Sequence, residues 1–290
     1  MLNIAILLTC FNRKAKTLAA LNTLKEAIKI VEQNCKITVY LTDDGSTDGT
    51  SEAVALNFPE VKILLGTGTM YWAGGMRNSW NEALKGNYDG YLLLNDDTEL
   101  FNNVFKVLIE THEYCLSNYK KGGIYIGSTQ DKKTSKLSYG GNIFTNRNKG
   151  KYVKVIPNEK EPQKCELGNA NIMYVDQSVI KEIGILSDGF VHGLADFDYT
   201  LKAIKKGIPV LVAPYYLGFC TNDHGDKYSK FVNSSLIERL KFLYNPIGLD
   251  FKSHLQYMKN NFPLRLPVVF FMGYFKVLFP MYYVKKILKR

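Results

Sequence analysis

The chain begins with an unbroken apolar run, Ile4-Ala5-Ile6-Leu7-Leu8. No polar position alternates with it, so the strand it predicts has both faces covered. Over residues 15–32 the period changes. Leu18, Leu21, Leu24, Ile28 and Val31 recur at helical spacing, which predicts an amphipathic helix. A second strand is expected at 38–41, and a turn entering a helix at 46–56. A third strand follows at 61–65, then a helix over 76–84 closed by Gly86, and a fourth strand at 91–94. Strand and helix alternate throughout this half, the pattern of a mostly parallel sheet with helices on both faces.

The second half is less regular. Residues 120–164 are rich in Gly, Lys, Asn and Thr, with a strand-like piece at 123–127. This region is expected to extend the sheet with antiparallel or mixed strands. A strand at 172–175, helices at 177–183 and 196–206, and a strand at 209–213 complete the layout, with Gly207 ending the second helix. There is no internal repeat and no low-complexity linker. The fold class is α/β, with a sheet domain over residues 1–225 and a C-terminal helical segment over 226–290.

Sheets of this kind bind ligands outside the carboxyl ends of their strands. Three polar clusters fall there: Thr9-Cys10-Phe11-Asn12-Arg13, Asp43-Asp44-Gly45-Ser46 and Asn95-Asp96-Asp97. A strand ending in carboxylates and an amide offers hard oxygen ligands to a divalent cation and a diphosphate. Asp43 can accept a hydrogen bond from a pyrimidine imide N–H, and Ser46 or Asp48 can cap the next helix. Between these clusters, 66–78 carries glycines around Tyr71-Trp72, with Gly74 and Gly75 leading into a helix and Arg77 within it. Close approach of a flat or sugar-like ligand and a helix N-terminus for its phosphates are expected there, with Arg77 adding a phosphate contact. No GxGxxG follows the first strand and no GxxxxGK[ST] occurs, which excludes a dinucleotide fingerprint and a P-loop. A second acidic pair, Asp196 and Asp198, lies far downstream.

Charge adds a surface argument. The 290 residues are 46% hydrophobic and carry a net charge of +10 with a pI near 9.1, so disorder is excluded. The excess is concentrated at the end. From residue 262 onward there is no acidic residue, whereas Arg265, Lys276, Lys285, Lys286, Lys289 and Arg290 are interleaved with Phe270, Phe271, Tyr274, Phe275, Phe279, Tyr282 and Tyr283. That mixture suits the headgroup region of an anionic membrane. Lys276, Pro267 and Pro280 argue against a spanning helix. No zinc, RRM or helix-turn-helix signature supports nucleic acid as a partner. Five widely spaced cysteines without a CxxC point to a reduced, cytoplasmic setting. No signal peptide is expected at the start, where 4–8 reads as a strand. The location expected is cytoplasmic, peripheral on the inner face of the cytoplasmic membrane.

Taken in order, Thr9-Cys10-Phe11-Asn12-Arg13, Asp43-Asp44-Gly45-Ser46-Thr47-Asp48-Gly49-Thr50, the Trp72-Gly74-Gly75 loop, Leu93-Leu94-Asn95-Asp96-Asp97-Thr98 and Gly193-Leu194-Ala195-Asp196-Phe197-Asp198-Tyr199 resemble family 2 glycosyltransferases of the GT-A fold. More narrowly, they are similar to the rhamnosyltransferase-like members that build bacterial surface polysaccharides. The resemblance covers about residues 4–224. It implies an inverting, metal-dependent transfer from a pyrimidine nucleoside-diphosphate sugar, dTDP-rhamnose or a UDP-hexose, to a saccharide acceptor, plausibly lipid-linked. It implies that Thr9, Phe11, Asn12, Arg13 and Asp43 bind the nucleoside, with Asp43 on the base. Asp44, Trp72, Gly74, Arg77, Asn95 and Asp96 would complete the substrate site, Asp96 on the sugar or ribose. Asp97 would hold Mn²⁺ or Mg²⁺, with Asn95 as the first member of the family's Asp-any-Asp position and His224 as a second metal ligand. Gly168-Asn169-Ala170-Asn171 matches a glycine-led acceptor-side strand. Ala195 stands where the family has an acidic residue, so the general base is Asp196 or Asp198. Two other readings remain: a sugar-phosphate nucleotidyltransferase, though Phe11-Asn12-Arg13 replaces the glycine-rich, lysine-bearing loop such enzymes carry, and a non-catalytic transferase-like scaffold.

Overall fold

The computed structural model of the chain describes residues 1–221 and 227–288. The alternating half comes first: β1 (Leu2–Cys10), α1 (Lys14–Val31), β2 (Cys35–Asp43), α2 (Thr50–Asn57), β3 (Lys62–Leu65), α3 (Tyr71–Ala83) and β4 (Gly90–Leu94). A short β5 (Glu99–Leu100) and α4 (Val104–Tyr119) lead to β6 (Ile124–Gln130), β7 (Leu137–Tyr139), β8 (Gly141–Asn146), β9 (Lys151–Lys154), β10 (Gln163–Lys164), β11 (Leu167–Gly168) and β12 (Ile172–Asp176). Then come α5 (Gln177–Ile183), α6 (Ala195–Lys205), β13 (Val210–Phe219) and the C-terminal helices α7 (Lys227–Asn233), α8 (Leu236–Tyr244), α9 (Phe251–Asn261) and α10 (Leu266–Leu278).

The main sheet runs β10-β13-β6-β12-β4-β1-β2-β3, with β5 on β13 and β7 on β6. β1 is parallel to both β2 and β4, and β3 is parallel to β2. β12 enters antiparallel between β4 and β6, so the sheet is parallel through its N-terminal half and mixed beyond it. A small second sheet, β11-β8-β9, stands beside it.

The apolar runs divide as the pleat requires. Along β1, Ile4, Ile6 and Leu8 enter the core under α1, α2 and α4, and Ala5 and Leu7 enter the opposite core with α3, α5 and α6. Burying both faces is why that strand reads as continuous hydrophobicity. The five cysteines are all free and buried.

Three elements differ from the expected layout. α3 begins at Tyr71, five residues before the expected start at Met76, and takes Gly74 and Gly75 into the helix. Glycine is disfavoured inside helices, but α3 crosses β1 so closely that a Cβ on Gly75 would lie 2.0 Å from Thr9 Oγ1. α4 occupies a stretch to which the sequence reading assigned no element. The C-terminal segment is also more than an appendage. Tyr257 and Met258 of α9 belong to the same core as Trp80 and Tyr199, while Phe231, Leu243, Phe251 and Val277 form a small separate core among the last helices.

Candidate active site

β1 ends at Cys10 and the chain turns outward through Phe11, Asn12 and Arg13. Asn12 holds a left-handed backbone, φ 51°, which asparagine tolerates better than most residues. Its N–H donates to Ser46 Oγ at 2.9 Å, and its Oδ1 accepts from the Thr47 N–H at 2.7 Å. The loops after β1 and β2 are thereby laced together. Asp43 closes its own loop, accepting the Ser46 N–H at 2.8 Å and the Ser51 hydroxyl. Asp44 reaches the third loop instead, accepting from Gly68 N–H at 2.9 Å and Tyr71 N–H at 2.7 Å.

A cavity of about 340 Å³ opens over these strand ends, lined by Thr9, Phe11, Arg13, Asp44, Tyr71, Trp72, Asp96 and His192. Asp43 does not line it, so the carboxylate available to a base there is Asp44. Asp43 instead faces its own turn, where each of its oxygens accepts one hydrogen bond.

The centre of the site is built on the loop after β4. Asn95 Oδ1 accepts from Trp72 Nε1 at 2.8 Å, which fixes the indole. The Arg13 guanidinium bridges the two carboxylates, with Nη1 3.1 Å from Asp96 Oδ1 and Nη2 on Asp97. Asp96 is buried and also accepts from the Thr17 hydroxyl at 3.3 Å. Burial pushes its carboxyl up to about 7, against the opposing pull of Arg13. Asp97 is the more accessible carboxylate. It borders a second cavity of about 320 Å³ and, on its other side, a smaller one of about 220 Å³ walled by Lys16 and Lys132. Cys220 Sγ lies 3.5 Å from Asp97 Oδ1, and burial together with Asp97 pushes that thiol up to about 12.

The second cavity shares Arg13, Trp72, Asp96 and His192 with the first, so the two form one cleft. Its far wall is Tyr139, Asn169, Asn171, Asp196 and Phe197. Asp196 sits in the first turn of α6, after Leu194 in a left-handed conformation, φ 67°. Its Oδ1 accepts from the Phe197 N–H at 2.8 Å and its Oδ2 from the Ala170 N–H at 3.3 Å. Burial raises its pKa, and these hydrogen bonds hold the rise back.

Asp198 is elsewhere. It is buried and accepts from Ser187 Oγ at 3.0 Å, Asn260 Nδ2 at 3.0 Å and Asn261 Nδ2 at 2.7 Å. Positions two apart on a helix diverge by roughly 200°, so only one of the pair faces the cleft. The alternative of Asp198 as base is thereby corrected to a staple between α6 and α9.

Two further expectations are corrected. Arg77 lines neither cavity of the cleft. It donates to the Ser187 and Phe190 carbonyls at 3.1 and 2.9 Å and pairs with Asp188 at 3.5 Å, so it anchors the loop before α6 and contacts no phosphate site. Gly74 also lies outside the cleft; a Cβ there would meet Met70 Cβ at 3.0 Å. The first amide of α3 is already capped by Asp44. Thr9, Phe11, Arg13, Trp72, Asn95, Asp96, Asp97 and Asp196 are brought together in the cleft, and Asn12 shapes its rim. His224 lies outside the described residues. Sequence reasoning left out His192 and Tyr139. Of these only His192 carried a signal, standing directly before Gly193-Leu194-Ala195-Asp196.

Among the described residues no group of three or more His, Cys, Asp or Glu could enclose a metal ion. A cation that draws most of its ligands from a bound diphosphate needs only one or two protein carboxylates. Asp97, at the junction of the cavities, meets that requirement.

No protein-family model and no curated protein sequence matches the chain. Solved structures do. A mannosyltransferase, PcManGT from Pyrobaculum calidifontis, in complex with GDP-Man and Mn²⁺, superposes with a TM-score of 0.52 at 14% identity, over 92% of this chain and 72% of that one. Residues 1–349 of TarS from S. aureus superpose with a TM-score of 0.51 at 15% identity, over 99% of this chain and 75% of that one. A longer TarS structure matches at 0.51 and 16% identity over 89% of this chain, which spans 42% of its length. At such identities the likeness is one of fold: the mixed α/β sheet covered by helices on both faces, with helices appended at its C-terminus, is an architecture this chain shares with a known mannosyltransferase.

Proposed function

We propose that this chain is an inverting, metal-dependent glycosyltransferase that moves a sugar from a pyrimidine nucleoside-diphosphate donor to a saccharide acceptor in cell-surface polysaccharide assembly. One observation carries the reading. A single cleft at the carboxyl edge of the parallel strands has Asp44 and Thr9 at one end, Arg13 and Asp96 in the middle, and Asp97 with a half-buried Asp196 at the other.

The chain's residues divide the work. Thr9, Phe11, Asp44 and Tyr71 wall a space for the nucleoside. Trp72, held by Asn95, and His192 line the passage between the two cavities, where the donor sugar lies. The acceptor hydroxyl is a weak nucleophile at neutral pH. Its oxygen bonds to the anomeric carbon as the bond from that carbon to the diphosphate breaks, and its proton passes to Asp196. The raised pKa of Asp196 brings a carboxylate closer to the operating pH of a general base. Bound at Asp97, Mn²⁺ or Mg²⁺ would supply positive charge against the departing diphosphate. Arg13, paired with Asp96 and Asp97, adds protein positive charge beside the same carboxylates.

The C-terminal segment supports a location on an anionic membrane surface. Among the described residues no single helix is long and apolar enough to cross a membrane; the stretches Pro263–Leu278 and Pro280–Lys286 reach that length and apolarity only together, and they are bent by 112°. Leu264, Val268, Phe271, Phe279, Met281 and Tyr282 are exposed, in a segment whose only charges are basic. A surface-lying segment of that kind brings the cleft to a lipid-linked acceptor.

The test is nucleotide binding by calorimetry, with UDP and dTDP as probes. Wild type should bind one of them more tightly with Mn²⁺ than with EDTA, and Asp97→Ala should abolish that difference. Binding that ignores Mn²⁺ in wild type refutes the metal assignment. Pyrophosphate release from a nucleoside triphosphate and a sugar phosphate would convert the reading to nucleotidyl transfer.

A further inference from the structure

The far wall of the cleft continues onto a surface that the transfer reaction alone does not explain. Phe197, next to Asp196, meets the ring of Tyr152 on β9 edge-on, with centroids 5.9 Å apart and planes at 88°. Tyr152 is 48% exposed; partial burial raises its phenol pKa, and the nearby Asp196 carboxylate adds to the rise. Lysines on an outer strand discourage sheet-to-sheet pairing, which accounts for Lys151 and Lys154. It does not account for an exposed aromatic ring beside a half-buried carboxylate.

The hairpin that carries that ring is purely basic. Residues 141–154 contain Arg147, Lys149, Lys151 and Lys154 and no carboxylate. Arg147 lies over the Phe144 ring at 5.5 Å and pairs with Glu166 at 3.1 Å. Across the seam, the C-terminal helices bring up Arg265, whose Nη1 would be 2.7 Å from a Cβ on Gly150. Phe144 and Phe262 close the seam at 5.8 Å. The result is an aromatic shelf leading from Asp196 to a basic seam, which adjoins the exposed apolar segment beginning at Leu264.

We propose that this shelf is the acceptor subsite and that it takes a phosphate-bearing saccharide: the apolar face of a sugar ring packs on Tyr152, and the phosphate lies between Arg147 and Arg265. Aromatic rings offer sugars a flat apolar surface with a polar edge, and guanidinium groups bind phosphate through paired N–H donors. The assignment rests on the transferase reading and adds to it the chemical class of the acceptor.

Ligand-observed NMR on the full chain tests it, with glucose 6-phosphate, glucose and inorganic phosphate as probes. The 6-phosphate is chosen because its phosphate is not on the donor's anomeric carbon. Glucose 6-phosphate should bind at least tenfold more tightly than glucose. Tyr152→Ala should weaken it about fivefold while Tyr152→Phe retains it, and Arg147→Gln with Arg265→Gln should bring it down to the level of glucose. UDP or dTDP binding should stay unchanged in all of these variants. Equal binding of the two sugars, or variants that match wild type, overturns the subsite. Loss of nucleotide binding by wild type itself would instead count against the transferase reading. Displacement of glucose 6-phosphate by geranyl phosphate but not glycerol 3-phosphate assigns the phosphate to a lipid carrier. The reverse assigns it to a soluble or polymeric acceptor, and displacement by neither overturns the phosphate contact.

Discussion

Asp196 and Asp198 separate chemistry from stability on one helical turn, and substituting each in turn measures the separation. Asp198→Ala strips the acceptor from Ser187 Oγ, Asn260 Nδ2 and Asn261 Nδ2. Each buried donor left without a partner costs about 1–3 kcal/mol, less where water can replace the carboxylate. A total of roughly 3–5 kcal/mol is expected, comparable to breaking a buried ionic contact, and Tm should fall by about 10 °C. Asp196→Asn keeps the volume and an acceptor oxygen for one of the two backbone N–H groups, and it removes a half-buried charge, so Tm should hardly move. Turnover should instead fall about 10²–10⁴-fold, the usual contribution of a general base. Nucleoside diphosphate release with acceptor present and thermal unfolding of the same samples read both effects. Burial raises the pKa of Asp196, so wild-type turnover should decline as pH drops through that raised value, and this limb should vanish in Asp196→Asn. An Asp196→Asn protein within tenfold of wild type, beside a folded but inactive Asp198→Asn, would refute the assignment.

Other perturbations reach other parts of the argument. Gly75→Ala forces a Cβ to within 2.0 Å of Thr9 Oγ1, and overpacking of that kind should cost about 1–3 kcal/mol by urea unfolding. Asp96 is held protonated up to about 7 in the fold, well above an unfolded aspartate. The native state therefore binds the extra proton between about pH 4 and 7, and stability should fall as pH rises through that window. Asp96→Asn in EDTA should flatten the decline; an unchanged slope in urea melts would exclude Asp96 as its source. Leu264→Glu with Phe271→Glu places carboxylates on side chains that are 94% and 70% exposed. The variant should keep its Tm and lose flotation with phosphatidylglycerol vesicles; undiminished flotation would refute the membrane surface.

Legibility in the sequence followed the physics of each region. The parallel half was readable because strands covered on both faces must be apolar throughout, as Ile4 to Leu8 are. The clusters at their ends stood out as the places where that apolarity stops. The start of α3 was hidden because Gly74 and Gly75 signal a loop by propensity, while the close crossing over β1 that favours glycine there is a tertiary fact. The split between Asp43 and Asp44 turned on which carboxylate borders the cavity, which adjacent identical residues cannot reveal. Asp196 against Asp198 was partly decidable, since a helix turns their side chains to different faces. Tyr139 and Tyr152 come from short strands in a polar, glycine-rich stretch whose pairing no local period announces.

α9 joins the two ends of the proposed task. Its Asp250 accepts from the Gly193 N–H at 3.0 Å and its Ser253 from the Val191 N–H at 3.2 Å, so it holds the loop that carries His192 toward Asp196. Its other neighbour is α10, packed so tightly that a Cβ on Gly273 would fall 2.2 Å from Phe251. Anyone engineering a shorter, more soluble version by cutting at residue 225 would remove the buttress of the loop that carries His192 along with the greasy tail. Solubility has to be gained by repainting the outward side chains of α10 and leaving the helices in place.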